Sequence, residues 1–204
     1  MTMPDTTVSA IDKSLAVLLQ AVKDFPGYSL DFCSGYVSTD GVLLFKRMLK
    51  TAPKVRAVVG LSATNRVSAF QMLRDDCNVE VYVYVTSIYT LFHPKIYFGK
   101  LNAQAWAMIG SSNLTKRGLS LNVEHNLFIT GQRHTEPFIT IEGCYFRTGE
   151  EKSTLILSTS PQTYKILLPK SLCCTINVLS SVGLGQQLRL AIYTKLFRVC
   201  LQKV

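Results

Sequence analysis

The spacing of apolar residues along the chain changes period several times, and each change marks an element. Ile11, Leu15, Leu18, Leu19 and Val22 recur at helical intervals, predicting a helix over 10–24 with Ser9 as N-cap. After the Pro26–Gly27 turn, residues 28–37 read as a strand, 39–49 as a helix and 54–61 as a short buried strand. Val67, Phe70 and Leu73 return to helical spacing within 63–75, and the β-branched and aromatic run 78–85 follows as a strand. Strands alternating with helices imply an α/β sheet with parallel members. Residues 93–98 and 105–110 then read as a strand pair about a turn at 99–104, and 123–130 as a further strand, without helices between them. The expected fold is therefore α/β, a mixed β-sheet flanked by helices. Beyond Gly131 the pattern breaks into short runs, 138–146, 154–157 and 164–168, before a closing helical pattern over 186–201.

This change of pattern divides the chain into a core, 1–142, and an extension, 143–204, that either completes the domain or forms a shortened accessory region. The division is also one of charge. The formal net charge is +9, and residues 143–204 hold 8 basic and 2 acidic groups, so the extension supplies most of it. Such a field attracts polyanions and fits either nucleic acid or an anionic membrane surface. With 48% hydrophobic and 17% charged residues, the chain can bury a substantial core.

The six cysteines, Cys33, Cys77, Cys144, Cys173, Cys174 and Cys200, lack CxxC spacing and read as reduced core residues. No signal peptide is visible at the N-terminus, which predicts a cytoplasmic location. The uncharged stretch 171–188 contains Asn177, Gln186 and Gln187 and reads as core, so no membrane partner is expected.

The candidate chemistry lies between residues 93 and 124. Alternation along a strand places His93, Lys95 and Tyr97 on one face, with an imidazole and an ammonium suited to a phosphate. Gly110-Ser111-Ser112-Asn113 follows the next strand, where glycine permits a close turn and the hydroxyl and amide can donate to phosphate oxygens. Glu124 opens the strand after that and could fix the tautomer of His93. Each feature alone is ordinary: a histidine before a strand is usually structural, this tetrapeptide is usually a turn, and a glutamate at a strand end is usually solvated.

In combination, His-x-Lys followed by Gly-Ser-x-Asn resembles the signature of the phospholipase D superfamily. The superfamily motif usually continues with an aspartate five positions after the lysine, where this chain has Lys100. The intervals of 20 residues from His93 to Asn113 and 11 more to Glu124 are closer to the metal-independent restriction endonucleases of that superfamily. The resemblance implies a phospholipase D-like fold and catalytic roles for His93, Lys95, Asn113 and Glu124, without a metal or other cofactor. It further implies that His93 attacks phosphorus to form a phosphohistidine while His93 of the partner subunit protonates the leaving oxygen. With one motif and no internal repeat, the site is expected on the two-fold axis of a homodimer acting on DNA, with double-stranded DNA as the expected form. Ser111, Lys116 and Arg117 are candidate contacts to substrate phosphates, whereas His125 and His134 receive no role.

Other readings find less in the residues. Glu150-x-Lys152 lacks an upstream aspartate for a metal-dependent nuclease, and Gly183-Leu184-Gly185 does not continue into a dinucleotide fingerprint. The alternatives carried forward are a phospholipase D-type hydrolase of lipid or another phosphodiester, and a non-catalytic DNA-binding remnant. Residues 143–204 are too few for a typical sequence-reading domain, so a recognition sequence is not implied.

Overall fold

In the computed structural model, the structure describes residues 6–60, 64–76, 78–84, 91–143, 153–159 and 162–168. The expected closing helix over 186–201 lies outside these residues, as do Cys77, Cys144, Cys173, Cys174, Cys200, the Glu150–Lys152 pair and the Gly183–Gly185 turn.

The first element is a strand, β1 (Thr6–Ile11), which corrects the expected helical start at residue 10. Its β-branched residues pair antiparallel with β7, from Thr6 opposite Gly131 to Ile11 opposite Asn126. This long-range pairing overrides the helical spacing of Ile11 with Leu15 and Leu18. Ser9 consequently lies in the strand, and helix α1 (Ser14–Asp24) starts after Lys13 without a side-chain cap.

The following elements appear in the expected order: β2 (Ser29–Ser34), α2 (Thr39–Thr51), β3 (Val55–Gly60), α3 (Val67–Arg74) and β4 (Val79–Tyr84). Ser38 caps α2 by accepting a hydrogen bond from the Gly41 N–H. The hairpin β5 (Lys95–Leu101) and β6 (Gln104–Gly110) turns through Asn102, which adopts φ 53°, and β7 (Asn126–Gln132) follows. Residues 138–141, expected within a short run, form a helical turn, α4 (Phe138–Ile141). Strands β8 (Ser153–Thr159) and β9 (Gln162–Leu168) extend the β4 edge.

The nine strands among the described residues join one mixed sheet in the order β1-β7-β6-β5-β2-β3-β4-β9-β8. β2, β3 and β4 are parallel, while β5 returns antiparallel to β2. Helices α1 to α3 bury one face of the sheet through residues including Leu18, Phe45, Leu49 and Phe70, against Phe32, Val59, Tyr97 and Trp106. The opposite face presents Cys33, Val58, Ile96, Phe98 and Ala107, capped by Phe138 and Ile141 of α4. Alternate residues of each strand thus enter different cores. No helix among the described residues is long and apolar enough to cross a membrane.

This topology brings the carboxyl ends of β2, β3 and β6 together with the amino ends of β5 and β7. Loops at such an edge are where open α/β sheets place ligands.

Candidate active site

Lys95 is the first residue of β5 and points to the helix-covered face, where it is buried at 7% exposure. His93 precedes the strand rather than beginning it. Its ring lies against the Lys95 ammonium, with Nζ 2.5 Å from Nδ1 and 2.9 Å from Nε2, and Nζ also donates to the His93 carbonyl at 2.8 Å. Partial desolvation, and then the charge on Lys95, lower the His93 pKa. Burial lowers that of Lys95 as well, while the negative charge of Glu124 works the other way. The result is an imidazole biased to its neutral, nucleophilic form beside a poorly solvated cation.

Close packing fixes the histidine. A Cβ on Gly35 would come within 2.8 Å of His93 Cδ2 and 2.9 Å of the Phe92 carbonyl, so this loop position has room only for glycine. The Tyr36 ring packs edge-to-face with His93 at a centroid distance of 5.3 Å. The Tyr36 N–H donates to Asn113 Oδ1 at 3.1 Å, which directs the other end of that amide, a donor, elsewhere. Tyr36 therefore links His93 and Asn113, which are 20 residues apart in sequence.

A buried polar network holds the turn that carries Asn113. Asn126 Nδ2 donates to Ser14 Oγ at 3.0 Å and Ser112 Oγ at 2.9 Å, and Tyr97 donates to the Ser112 carbonyl at 3.1 Å. Ser34 Oγ accepts from the Leu114 N–H at 2.9 Å. Asn65, 3% exposed, donates to the carbonyls of Gly35 and Gly60 and accepts from the Val37 N–H, tying together the ends of β2 and β3. Gly110 was expected to let the backbone turn closely past a ligand. The space beside it is instead filled by the His125 carbonyl and Asn126, so its role is to pack the turn against β7.

Glu124 is buried just before β7 rather than within it. Its carboxylate accepts hydrogen bonds from Ser111 Oγ and from Asn122 Nδ2, the latter at 3.0 Å. These contacts replace the expected bond to His93. Glu124 affects the pair through its charge on Lys95, and Ser111, expected to meet a phosphate, is occupied by Glu124 and the His125 N–H. Lys116 and Arg117 are exposed on the adjoining helical turn. His125 lies on the other side of the sheet, in a groove with Ile109 and Leu127.

Lys100, at the far end of β5, explains the departure from the usual motif. Its ammonium bonds Asp31 at 2.7 Å and Glu142 at 2.9 Å, with Arg56 on Asp31 and Arg133 on Glu142 completing the chain. Lysine thus stands where the motif usually has a carboxylate, and neighbouring carboxylates supply the opposite charge.

Tyr36, Asn65, Asn126 and Ser14 were missed from the sequence. A polar residue at or shortly after the end of an apolar strand, as at Ser34 and Asn65, was the available signal.

A histidine with a desolvated ammonium and a carboxamide, held at the carboxyl edge of a mixed sheet, defines a phosphate-directed site on an α/β scaffold. A family profile described as "Cardiolipin synthase, PLD-like domain" matches residues 27–141, more than half of the chain, and the chain belongs to this phospholipase D-like family, with its phosphodiesterase fold. Among solved structures, NucT from Helicobacter pylori is similar at 15% identity and TM-score 0.51, covering 69% of this chain and 93% of that one. Nuc from Salmonella typhimurium, a phospholipase D family member, is similar at 15% identity and TM-score 0.43, covering 64% of this chain and 84% of that one. Phosphatidylserine synthase from Haemophilus influenzae is similar at 14% identity and TM-score 0.48, with 69% of this chain matching 38% of that one. No curated protein sequence matches the chain.

Proposed function

We propose that this protein is a metal-independent endonuclease that cleaves DNA through a phosphohistidine on His93, with the site completed by a second copy of the chain. The observation that carries this reading is the His93–Lys95 contact at the sheet edge, an imidazole with its pKa lowered by desolvation and by the buried ammonium against it. His93 attacks phosphorus, and Lys95 and the Asn113 amide stabilise charge on the non-bridging oxygens. The leaving oxygen takes a proton from His93 of the partner subunit. Water, deprotonated by that second imidazole, then releases the phosphate from His93.

Each half-site contributes one histidine, and the surface beside it suits pairing. Leu121 and Val123 flank Asn122 and are 65% and 86% exposed, an apolar rim next to Glu124. An isologous contact through this rim would bring two His93 residues toward one axis. The positive net charge favours DNA over a neutral substrate. A restriction role would require a means of reading sequence, which cleavage at this site does not.

The test is incubation with plasmid DNA in EDTA, followed by isolation of an acid-labile phosphoryl adduct on His93. Nicking with that adduct supports the proposal. Hydrolysis confined to phospholipid vesicles replaces the substrate, and activity unaltered in His93→Ala removes the mechanism. Leu121→Glu with Val123→Glu should shift sedimentation from dimer to monomer and abolish cleavage.

A further inference from the structure

Tyr36 also lines a groove of about 510 Å³. Tyr36, Asp40, Thr115, Lys116, Arg117 and Leu121 are among its lining residues. Its volume falls in the range of pockets that hold a small ligand, roughly 300–1,000 Å³. Tyr36 is the shared wall: it touches the His93 ring, and its backbone N–H bonds Asn113. Any group in the groove therefore lies next to the position of the reacting phosphate.

The wall chemistry is specific in kind. Tyr36 supplies a half-buried aromatic ring, and Lys116 and Arg117 supply two exposed cations against one exposed carboxylate, Asp40. An aromatic surface beside cations is the combination that binds single-stranded nucleic acid, in which base faces are free to stack and phosphates follow the positive charge. In a duplex those faces are already stacked on neighbouring bases, and only the cations would be used.

We infer that this groove is a subsite for the nucleotide adjoining the scissile phosphate in single-stranded DNA, with its base on Tyr36 and its phosphate on Lys116 and Arg117. The inference rests on the nuclease reading for its biological use, but binding at the groove is independent of cleavage. It also departs from the duplex substrate expected from sequence.

Fluorescence anisotropy in EDTA tests it, using a labelled single-stranded 12-mer and the same sequence as a blunt duplex. Tyr36→Ala should weaken single-strand binding by about tenfold, the effect of losing one base–aromatic stack, and duplex binding by clearly less. Tyr36→Phe should retain the wild-type preference. Replacing Lys116 and Arg117 together by alanine should weaken binding to both forms and flatten its salt dependence.

Equal losses on single strand and duplex in Tyr36→Ala, or no loss on either, would overturn the subsite. A wild-type measurement covers the case in which Tyr36→Ala fails to fold. A 12-mer carrying 2-aminopurine should be quenched on binding as its base stacks on Tyr36, and unchanged fluorescence in the bound complex refutes the stack. Failure of the nuclease reading looks different: no DNA is cut, yet the Tyr36-dependent preference for single strands persists.

Discussion

Lys95 and Lys100 stand five positions apart on the same strand, and the chain treats their charges in opposite ways. Lys100 sits between two carboxylates, 2.7 Å from Asp31 and 2.9 Å from Glu142, in a chain that continues to Arg56 and Arg133. Lys95 is more buried, and among the described residues no carboxylate forms a salt bridge with it; its neighbour is an imidazole. A cation paired on all sides holds strands and a helix together. One that is desolvated, with no salt bridge and only the more distant charge of Glu124, would be stabilised by an arriving anion, so charge compensation distinguishes the two ends of β5.

The strongest way to break this contrast is to neutralise each lysine. Lys95→Met should reduce DNA cleavage by about 10²–10³-fold, the usual effect of removing one donor to a developing oxyanion. Thermal stability should stay level or rise, because a buried ammonium without a salt bridge gives way to an apolar chain of similar length. A fall in melting temperature with activity retained would show that Lys95 is structural.

Lys100→Asp is the converse, since it restores the residue usual in the superfamily motif. Here it would place three carboxylates together and leave Asp31 without one of its cations. The expected loss is on the order of 3 kcal/mol of stability, read from the denaturant midpoint, with cleavage per folded molecule unchanged. Acid should act in the same direction. Burial raises the Glu142 pKa, but Lys100 and Arg133 outweigh it and hold the carboxyl below its usual range. Its contribution is therefore present above the unfolded-state value of about 4.3 and is lost as pH falls through the folded-state value.

A smaller effect is expected at the support beneath the turn. Asn126→Ala leaves Ser14 and Ser112 with each other but removes the amide that bridges them to the Ser112 backbone. A loss of about 2 kcal/mol follows from the buried polar groups left unpaired. Unlike Lys100→Asp, it should also lower cleavage, because Asn113 rides on that turn.

How much of this was legible in the sequence depended on range. The strand–helix alternation over 29–84 was readable because periodicity is local, and the motif residues His93, Lys95, Ser111 and Asn113 were readable because their spacing is. β1 was not, because Ile11 joins the helical spacing of Leu15 and Leu18, and the polar-rich residues 6–9 carry no pattern of their own until pairing with β7 decides otherwise. The link from Tyr36 to Asn113 spans 77 positions, and that from Asn126 to Ser14 spans 112. Lys100 could be recognised as a departure from the motif, but its partner Asp31 lies 69 positions away. Glu124 shows the same limit: its interval was visible, whereas its bonds to Ser111 and Asn122 depend on how the loop before β7 folds.

The smallest expected effect is also the most direct reading of the Lys95 field. Desolvation first, and then the adjacent ammonium, lower the His93 pKa, so NMR titration of its ring protons should give a midpoint below the ordinary value of about 6.5. Lys95→Met removes the second cause and leaves the first, so the midpoint should rise by part of the difference and not all of it. The sign carries over to stability: the unfolded chain binds a proton on this histidine at a higher pH than the folded one, so its contribution is complete above about 6.5 and declines as pH falls. The acid limb of kcat/KM for the free enzyme should follow the same group, since the proposed nucleophile is the neutral ring. A midpoint that does not move in Lys95→Met would mean that the ammonium exerts no field on the imidazole, and the distinction between the two ends of β5 would then rest on packing alone.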